Sequence, residues 1–190
     1  MYYRNKDSSE LDFYSTHKDS INTFLQEFLK EHEIKNAWEC AVGKGNIAKV
    51  LEKYNINVFS SDIVNRGYKD TVEKNFLEFD SLINSNIDTI ITNPPYCINN
   101  DFMKKSIELN PSKYIILYLK ITFFEGKKRY KFFEKYKPYR IYVHPSRQSC
   151  NFLGLEKFEN KNSSVCYSWW VWKTDDYSQN PTVHWLPINS

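Results

Sequence analysis

Short apolar runs alternate with helix-like patterns along most of this 190-residue chain, and that alternation leaves few folds open. Residues 37–42, 58–61, 87–92, 114–119, 141–143 and 165–172 read as strands, and residues 46–53, 102–109 and 127–136 as helices. The strand candidates are apolar on both faces, a pattern that belongs to strands covered from two sides. The reading predicts an α/β domain with a mostly parallel sheet and helices on both of its faces. In such sheets ligands sit beyond the carboxyl ends of the strands, where strand order reverses, so the residues that follow each strand are the place to look for chemistry.

One domain over residues 1–190 is expected, because no Gly/Ser linker, repeat or low-complexity tract divides the chain. No run approaches the roughly 18 apolar residues of a membrane span, and the first residues have no apolar signal core, so no membrane partner and a cytoplasmic location are expected. Cys40, Cys97, Cys150 and Cys166 are scattered, which indicates neither a disulfide scaffold nor a metal site. The net charge of +3 permits a nucleic-acid partner without requiring one. Basic residues gather between Lys127 and Arg140, where Glu134 is the one acid. Lys127, Lys128, Arg129 and Lys131 would form a phosphate-binding face if Phe132, Phe133 and Tyr136 pack inward; a solvated amphipathic helix accounts for the same letters.

The loop after the first predicted strand carries Glu39, Ala41, Gly43 and Gly45. Glycines there let the backbone pass close to a ligand and adopt positive φ, and an acid at the strand end suits a cationic ligand group. The dinucleotide pattern of three glycines fails at Ala48, and no phosphate-loop Lys-Ser or Lys-Thr follows. Asp62 and Ile63 follow the second strand, where nucleoside-binding folds hold the ribose hydroxyls with a carboxylate. Taken alone, these features are equally served by a turn and a cap.

Asn93-Pro94-Pro95-Tyr96 directly follows the strand at 87–92. Consecutive prolines remove two backbone donors and fix φ, so the loop presents rigid carbonyl acceptors. The Asn93 carboxamide oxygen and the Pro94 carbonyl would accept both hydrogens of one NH2 group, and Tyr96 offers a flat surface to the ring bearing it.

At this point the chain resembles the N6-adenine branch of the amino-methyltransferases, whose signature is Asp, Asn or Ser, then Pro-Pro, then Tyr, Phe or Trp. The other motifs fall in the order of that family over roughly residues 11 to 172. Phe13-Tyr14-Ser15-Thr16 is similar to its first cofactor motif, with His17 in place of the usual proline, and residues 39–45 to its main cofactor loop. Asp62 matches its ribose-binding acid, and Asn75-Phe76-Leu77 resembles its Asp-Phe-Leu motif, with Asn75 where aspartate is usual. The resemblance implies a Rossmann-like class I methyltransferase fold with a seven-stranded sheet. It also implies S-adenosylmethionine bound by Tyr14, Thr16, Glu39, Ala41, Gly43, Gly45, Asp62, Ile63, Asn75, Phe76 and Asn93, and methyl transfer to adenine N6 in DNA at Asn93, Pro94, Pro95 and Tyr96. A target base in a duplex would be flipped out and stacked on Tyr96.

A second wall for that base is not evident, with His144 one candidate, and Lys120, at the end of the 114–119 strand, reads equally as a solvated terminus. The tetrapeptide serves any planar NH2 group, so an RNA base amine or a glutamine side-chain amide in a protein remain open as substrates. A silent nucleic-acid-binding module is the reading from another class. No large recognition domain fits, so recognition is expected from short loops near residues 99–102 and 145–161, or specificity is low, or a partner supplies it.

Overall fold

A computed structural model describes residues 14–146, 150–152 and 165–188. Its main sheet has eight strands in the order β10-β7-β9-β6-β5-β2-β3-β4. They are β2 (Asn36–Glu39), β3 (Asn57–Asp62), β4 (Val72–Glu73), β5 (Thr89–Thr92), β6 (Tyr114–Lys120), β7 (Arg140–Val143), β9 (Tyr167–Lys173) and β10 (Thr182–Trp185). A separate antiparallel pair joins β1 (Tyr14–Thr16) to β8 (Cys150–Phe152). In the main sheet β9 runs antiparallel to both neighbours and every other pairing is parallel.

The eight strands correct the expected seven. Both edges carry strands that the apolar pattern does not reveal. The pair of residues in β4 is exposed, and β10 faces water along most of its length, so neither needed an apolar run. At the centre the pattern is faithful. Six of the seven residues of β6, and six of the seven of β9, are buried. The three tryptophans of β9 are fully buried: Trp169 faces one side of the sheet, and Trp170 and Trp172 the other.

Helices cover both faces. On one lie α1 (Lys18–Phe28) and α2 (Asn46–Lys53), whose Ile21, Phe24, Leu25, Phe28, Ile47, Val50 and Leu51 join Ile116, Tyr118 and Trp169 in one core. Phe24 stacks on Trp169 with ring centroids 4.7 Å apart. On the other face, Met103 of α3 (Asn99–Leu109) and Phe132 and Phe133 of α4 (Lys127–Lys135) pack against Leu117, Leu119, Trp170 and Trp172. The α1 helix was not among the predicted elements, although its buried residues recur at the helical spacing i, i+3, i+4 and i+7. His17 caps it, its Nδ1 accepting from the Asp19 N–H, which gives a structural use to the position where the resembled motif has proline.

Strand order reverses between β2 and β5: the chain runs outward from β2 through β3 to β4, then returns to β5 and continues through β6 on the other side. The carboxyl ends of β2, β3 and β5 therefore border one crevice. Among the described residues no helix is long and apolar enough to cross a membrane.

Candidate active site

Strand β2 ends at Glu39 rather than continuing to Val42, because the chain turns there to build the crevice. The Glu39 side chain is buried, and its Oε2 accepts from the Ala48 N–H at 2.8 Å, tying the strand end to the first turn of α2. Burial pushes its carboxyl well above the usual range, and the nearby charge of Asp62 pushes the same way. Gly43 and Gly45 carry the turn at φ 54° and 77°. At Gly45 a Cβ would run into the ring of Tyr68, so glycine is required twice over, for the backbone angle and for the space. Tyr68 is itself anchored, its hydroxyl donating to Glu52 at 3.0 Å.

Asp62, at the end of β3, is buried and receives three donors. Its Oδ2 accepts from the Gly43 N–H at 2.7 Å, and its Oδ1 from the Val64 N–H and from Arg66 Nη1, both at 3.1 Å. One carboxylate oxygen thus fixes the glycine turn while the other faces the crevice and holds a guanidinium. Arg66 was not foreseen from the sequence; it lies in the non-helical turn after β3, where its spacing from Asp62 gives no local signal.

Strand β1 closes the crevice from a third side. The Thr16 carbonyl accepts from Asn46 Nδ2 at 3.1 Å, and the buried Thr16 hydroxyl has no partner among the described residues. Ser15, Thr16, Glu39, Ala41, Asp62, Ile63, Arg66, Asn93 and Pro95 are among the groups that line one cleft, open to solvent. Six residues of the predicted cofactor set, Thr16, Glu39, Ala41, Asp62, Ile63 and Asn93, are thereby brought to one wall, with Gly43 and Gly45 shaping its turn.

Asn75 and Phe76 are not brought there. Asn75 Oδ1 accepts from the Leu77 N–H and caps a short 3-10 turn, Phe76–Glu78. Phe76 is 2% exposed, with its ring edge-on to Trp38 and against Phe102. Tertiary packing turns the ring into the core, and Phe76 is not among the residues that line the cleft. Tyr14 lies in β1, paired with Phe152.

The tetrapeptide leaves the carboxyl end of β5. Pro94 is buried, Asn93 and Pro95 edge the cleft, and Tyr96 opens a 3-10 turn, Tyr96–Ile98, that leads into α3. The Tyr96 ring stacks on Tyr167 with centroids 5.6 Å apart and planes 28° from parallel, and Tyr167 stacks in turn on Tyr118 at 5.4 Å. The Lys120 ammonium lies 4.7 Å from the centre of the Tyr96 ring. Lys120 is therefore not simply a solvated strand end, and Tyr167, its cross-strand partner, is the aromatic neighbour of Tyr96.

His144 does not supply a wall for a base. It is buried, its Nε2 lies 2.7 Å from Ser20 Oγ of α1, and burial lowers its pKa to about 4, which keeps the ring neutral near pH 7. In α4, Lys127 and Lys131 are exposed while Phe132 and Phe133 pack inward, the amphipathic arrangement expected. Arg129 is half-buried instead, with its guanidinium 4.9 Å from the Phe123 ring centre, and Lys128 lies in the same helix. Phe13 and residues 147–149 and 153–161, named above for the first motif and the short loops, lie outside the described residues.

The sequence matches no protein-family model and no curated protein. Solved structures do resemble it. An inferred RNA methyltransferase from Pyrococcus horikoshii aligns with a TM-score of 0.62 at 14% identity, over 91% of each chain. Magnesium protoporphyrin IX methyltransferase from Synechocystis PCC 6803, solved with bound S-adenosylmethionine, aligns at 0.56 and 9% identity over 91% of this chain and 86% of its own. The DrdV–DNA complex aligns at 0.53 and 11% identity, over 95% of this chain but 28% of that one. At these identities the likeness speaks for architecture alone: this chain has the Rossmann-like α/β fold of the S-adenosylmethionine-dependent methyltransferases.

Proposed function

We propose that this protein is an S-adenosylmethionine-dependent methyltransferase whose acceptor is the N6 amine of adenine in DNA. The observation that carries the reading is the position of Asn93-Pro94-Pro95-Tyr96: it follows β5 at the point of strand reversal, and Asn93 and Pro95 edge the cleft that Glu39 and Asp62 also line. An acceptor loop for an NH2 group and a pocket for a cationic nucleoside thus share one wall.

The cleft suits S-adenosylmethionine in its donor set. Asp62 Oδ1 faces the crevice and would take a ribose hydroxyl alongside Arg66, and Ile63 beside it would cover one face of a purine. The buried Thr16 hydroxyl is an unused polar group in the cleft wall, and the positive-φ glycine turn lets backbone approach closely. Glu39 fixes the first turn of α2 through Ala48, and a cationic methionine end bound beside it would favour the ionised form that burial disfavours. When bound, the cofactor supplies an electrophilic methyl group, which the attacking nitrogen takes as the carbon–sulfur bond breaks and the neutral thioether leaves.

What the chain contributes is orientation and charge placement. An adenine N6 lone pair is delocalised into its ring and attacks poorly. Asn93 Oδ1 and the Pro94 carbonyl, accepting both N6 hydrogens, favour the pyramidal nitrogen whose lone pair is free to attack, an interaction stronger in the transition state than in the ground state. The rigid diproline holds these acceptors without reorganisation. The amine proton is lost after transfer, when the nitrogen is cationic, so no strong base is needed beforehand.

Transfer of labelled methyl from S-adenosylmethionine to duplex DNA, single-stranded DNA and RNA in parallel, followed by nucleoside analysis, tests the reading. N6-methyladenine in DNA is the expected product; label confined to RNA or to protein would overturn the DNA assignment. Asn93→Ala should retain cofactor binding in calorimetry and lose methyl transfer by about 100-fold or more, the scale of losing an oxyanion-type electrostatic partner. Undiminished transfer would refute the acceptor mechanism.

A further inference from the structure

We propose that Lys120 is the contact for a backbone phosphate flanking the acceptor nucleotide, which makes the substrate of this site a polynucleotide. The inference rests on the methyltransferase reading above and deepens it. Lys120 ends β6, the strand beside β5, and so reaches the same edge of the sheet as the tetrapeptide. Its ammonium rests 4.7 Å from the centre of the Tyr96 ring, and its cross-strand partner Tyr167 stacks on that ring. Lys120 is half-buried, and it makes no ion pair with a described acidic residue.

A partly desolvated ammonium that rests on a π face, with no ion pair among the described residues, is a charge open to a stronger partner, because an aromatic quadrupole attracts a cation far less than an anion does. Of the cations that line the cleft beside Asn93 and Pro95, Arg66 is paired with Asp62 and Lys44 is exposed, whereas Lys120 sits on the Tyr96 ring itself. Lys120 is therefore the described cation in contact with the base platform. Among substrates bearing a planar NH2 group, a glutamine side chain brings no anion beside its amide, whereas a nucleotide in a chain brings a phosphate on each side. A base stacking on Tyr96 would compete with the ammonium for the ring, and the flexible lysine stem lets the charge swing from the ring to that phosphate.

The test is anisotropy of a labelled single-stranded oligodeoxynucleotide binding to the full chain with S-adenosylhomocysteine present, for wild type, Lys120→Ala and Lys120→Arg, from about 50 to about 200 mM salt. Loss of the charge should weaken binding about tenfold, the scale of one charge-assisted contact. It should also make the slope of log affinity against log salt shallower by about 0.7, one phosphate contact on a single strand, while Lys120→Arg keeps both. A weaker affinity with an unchanged slope would mean that Lys120 merely supports Tyr96, and overturns the proposal. So does weakening confined to S-adenosylmethionine affinity, which would assign the ammonium to the cofactor carboxylate. If the slope falls as expected but nucleoside analysis finds methyl on RNA or another base, the DNA-adenine reading fails and Lys120 keeps its role. If N6-methyladenine forms in DNA and the slope does not move, Lys120 fails alone. Absence of polynucleotide binding by folded wild-type protein overturns both.

Discussion

Replacing Gly45 by alanine tests the glycine turn at its tightest point. The backbone there has φ 77°, and a non-glycine residue in the left-handed region costs about 1–2 kcal/mol. The new Cβ would also meet the buried Tyr68 ring, and forcing extra volume into a packed site costs about 1–3 kcal/mol. Alanine restricts the unfolded chain and returns up to about 1 kcal/mol. The net expectation is a loss of about 2–4 kcal/mol, which in a chain of this size lowers Tm by about 5–15 °C. Separating the two costs requires Tyr68→Ala, alone and combined with Gly45→Ala, by urea unfolding. Tyr68→Ala alone is costly, since it empties a buried ring site and removes the bond to Glu52. In the double variant, however, the clash is absent and only the backbone strain remains. The double variant should therefore be more stable than the sum of the singles by about 1–3 kcal/mol. Additivity within about 0.5 kcal/mol would refute the steric account.

His144 should make stability fall in mild acid. Its pKa is lowered in the folded state to about 4 from an ordinary value near 6.5, so between those values the unfolded chain binds a proton that the folded chain does not, and stability rises with pH across that window. The loss on acidification from His144 is about 3 kcal/mol, and His144→Gln should flatten the urea-derived stability profile between pH 6.5 and 4; an unchanged slope would count against the burial argument. Asp62→Ala strands the Gly43 and Val64 N–H groups and removes the carboxylate paired with Arg66, so calorimetry should show cofactor affinity reduced at least tenfold together with a lower Tm; a Tm loss with affinity intact would leave Asp62 a purely structural brace.

How legible the molecule was in its sequence differs by the range of the interactions that decide each part. The central strands and α2 follow from local apolar runs, and the observed limits of α2 are those expected, because its buried face and its flanking glycine lie within the same few residues. Strand β5 begins at Thr89 rather than at residue 87, since Asp88 spends its carboxylate on the Lys35 N–H and the Thr89 hydroxyl and marks the strand entry. The positions of the tetrapeptide, Glu39 and Asp62 were readable because each is fixed by the strand it follows or ends. The burial of the Phe76 ring was not legible, because its orientation is decided by Trp38 and Phe102, neither of them local in sequence. His144 answers to Ser20, 124 positions away, and Lys120 to Tyr96 on another strand end; no local pattern encodes either partnership.

The placement of β9 has a consequence for how the chain acquires its shape. This strand is translated after β6 and β7, yet it lies between them and supplies the only described bridge that joins the β7–β10 ribbon to the rest of the main sheet. Until residues 167–173 leave the ribosome, β6 presents an open and largely apolar edge, and β7 lacks the strand that joins it to the sheet. The closing event is thus a strand insertion that spans a long stretch of chain, entropically slow and exposed to mispairing while it waits. Nascent chains stalled before β9 should be the species that chaperones hold, and their apolar edge should bind a hydrophobic dye that the finished protein rejects.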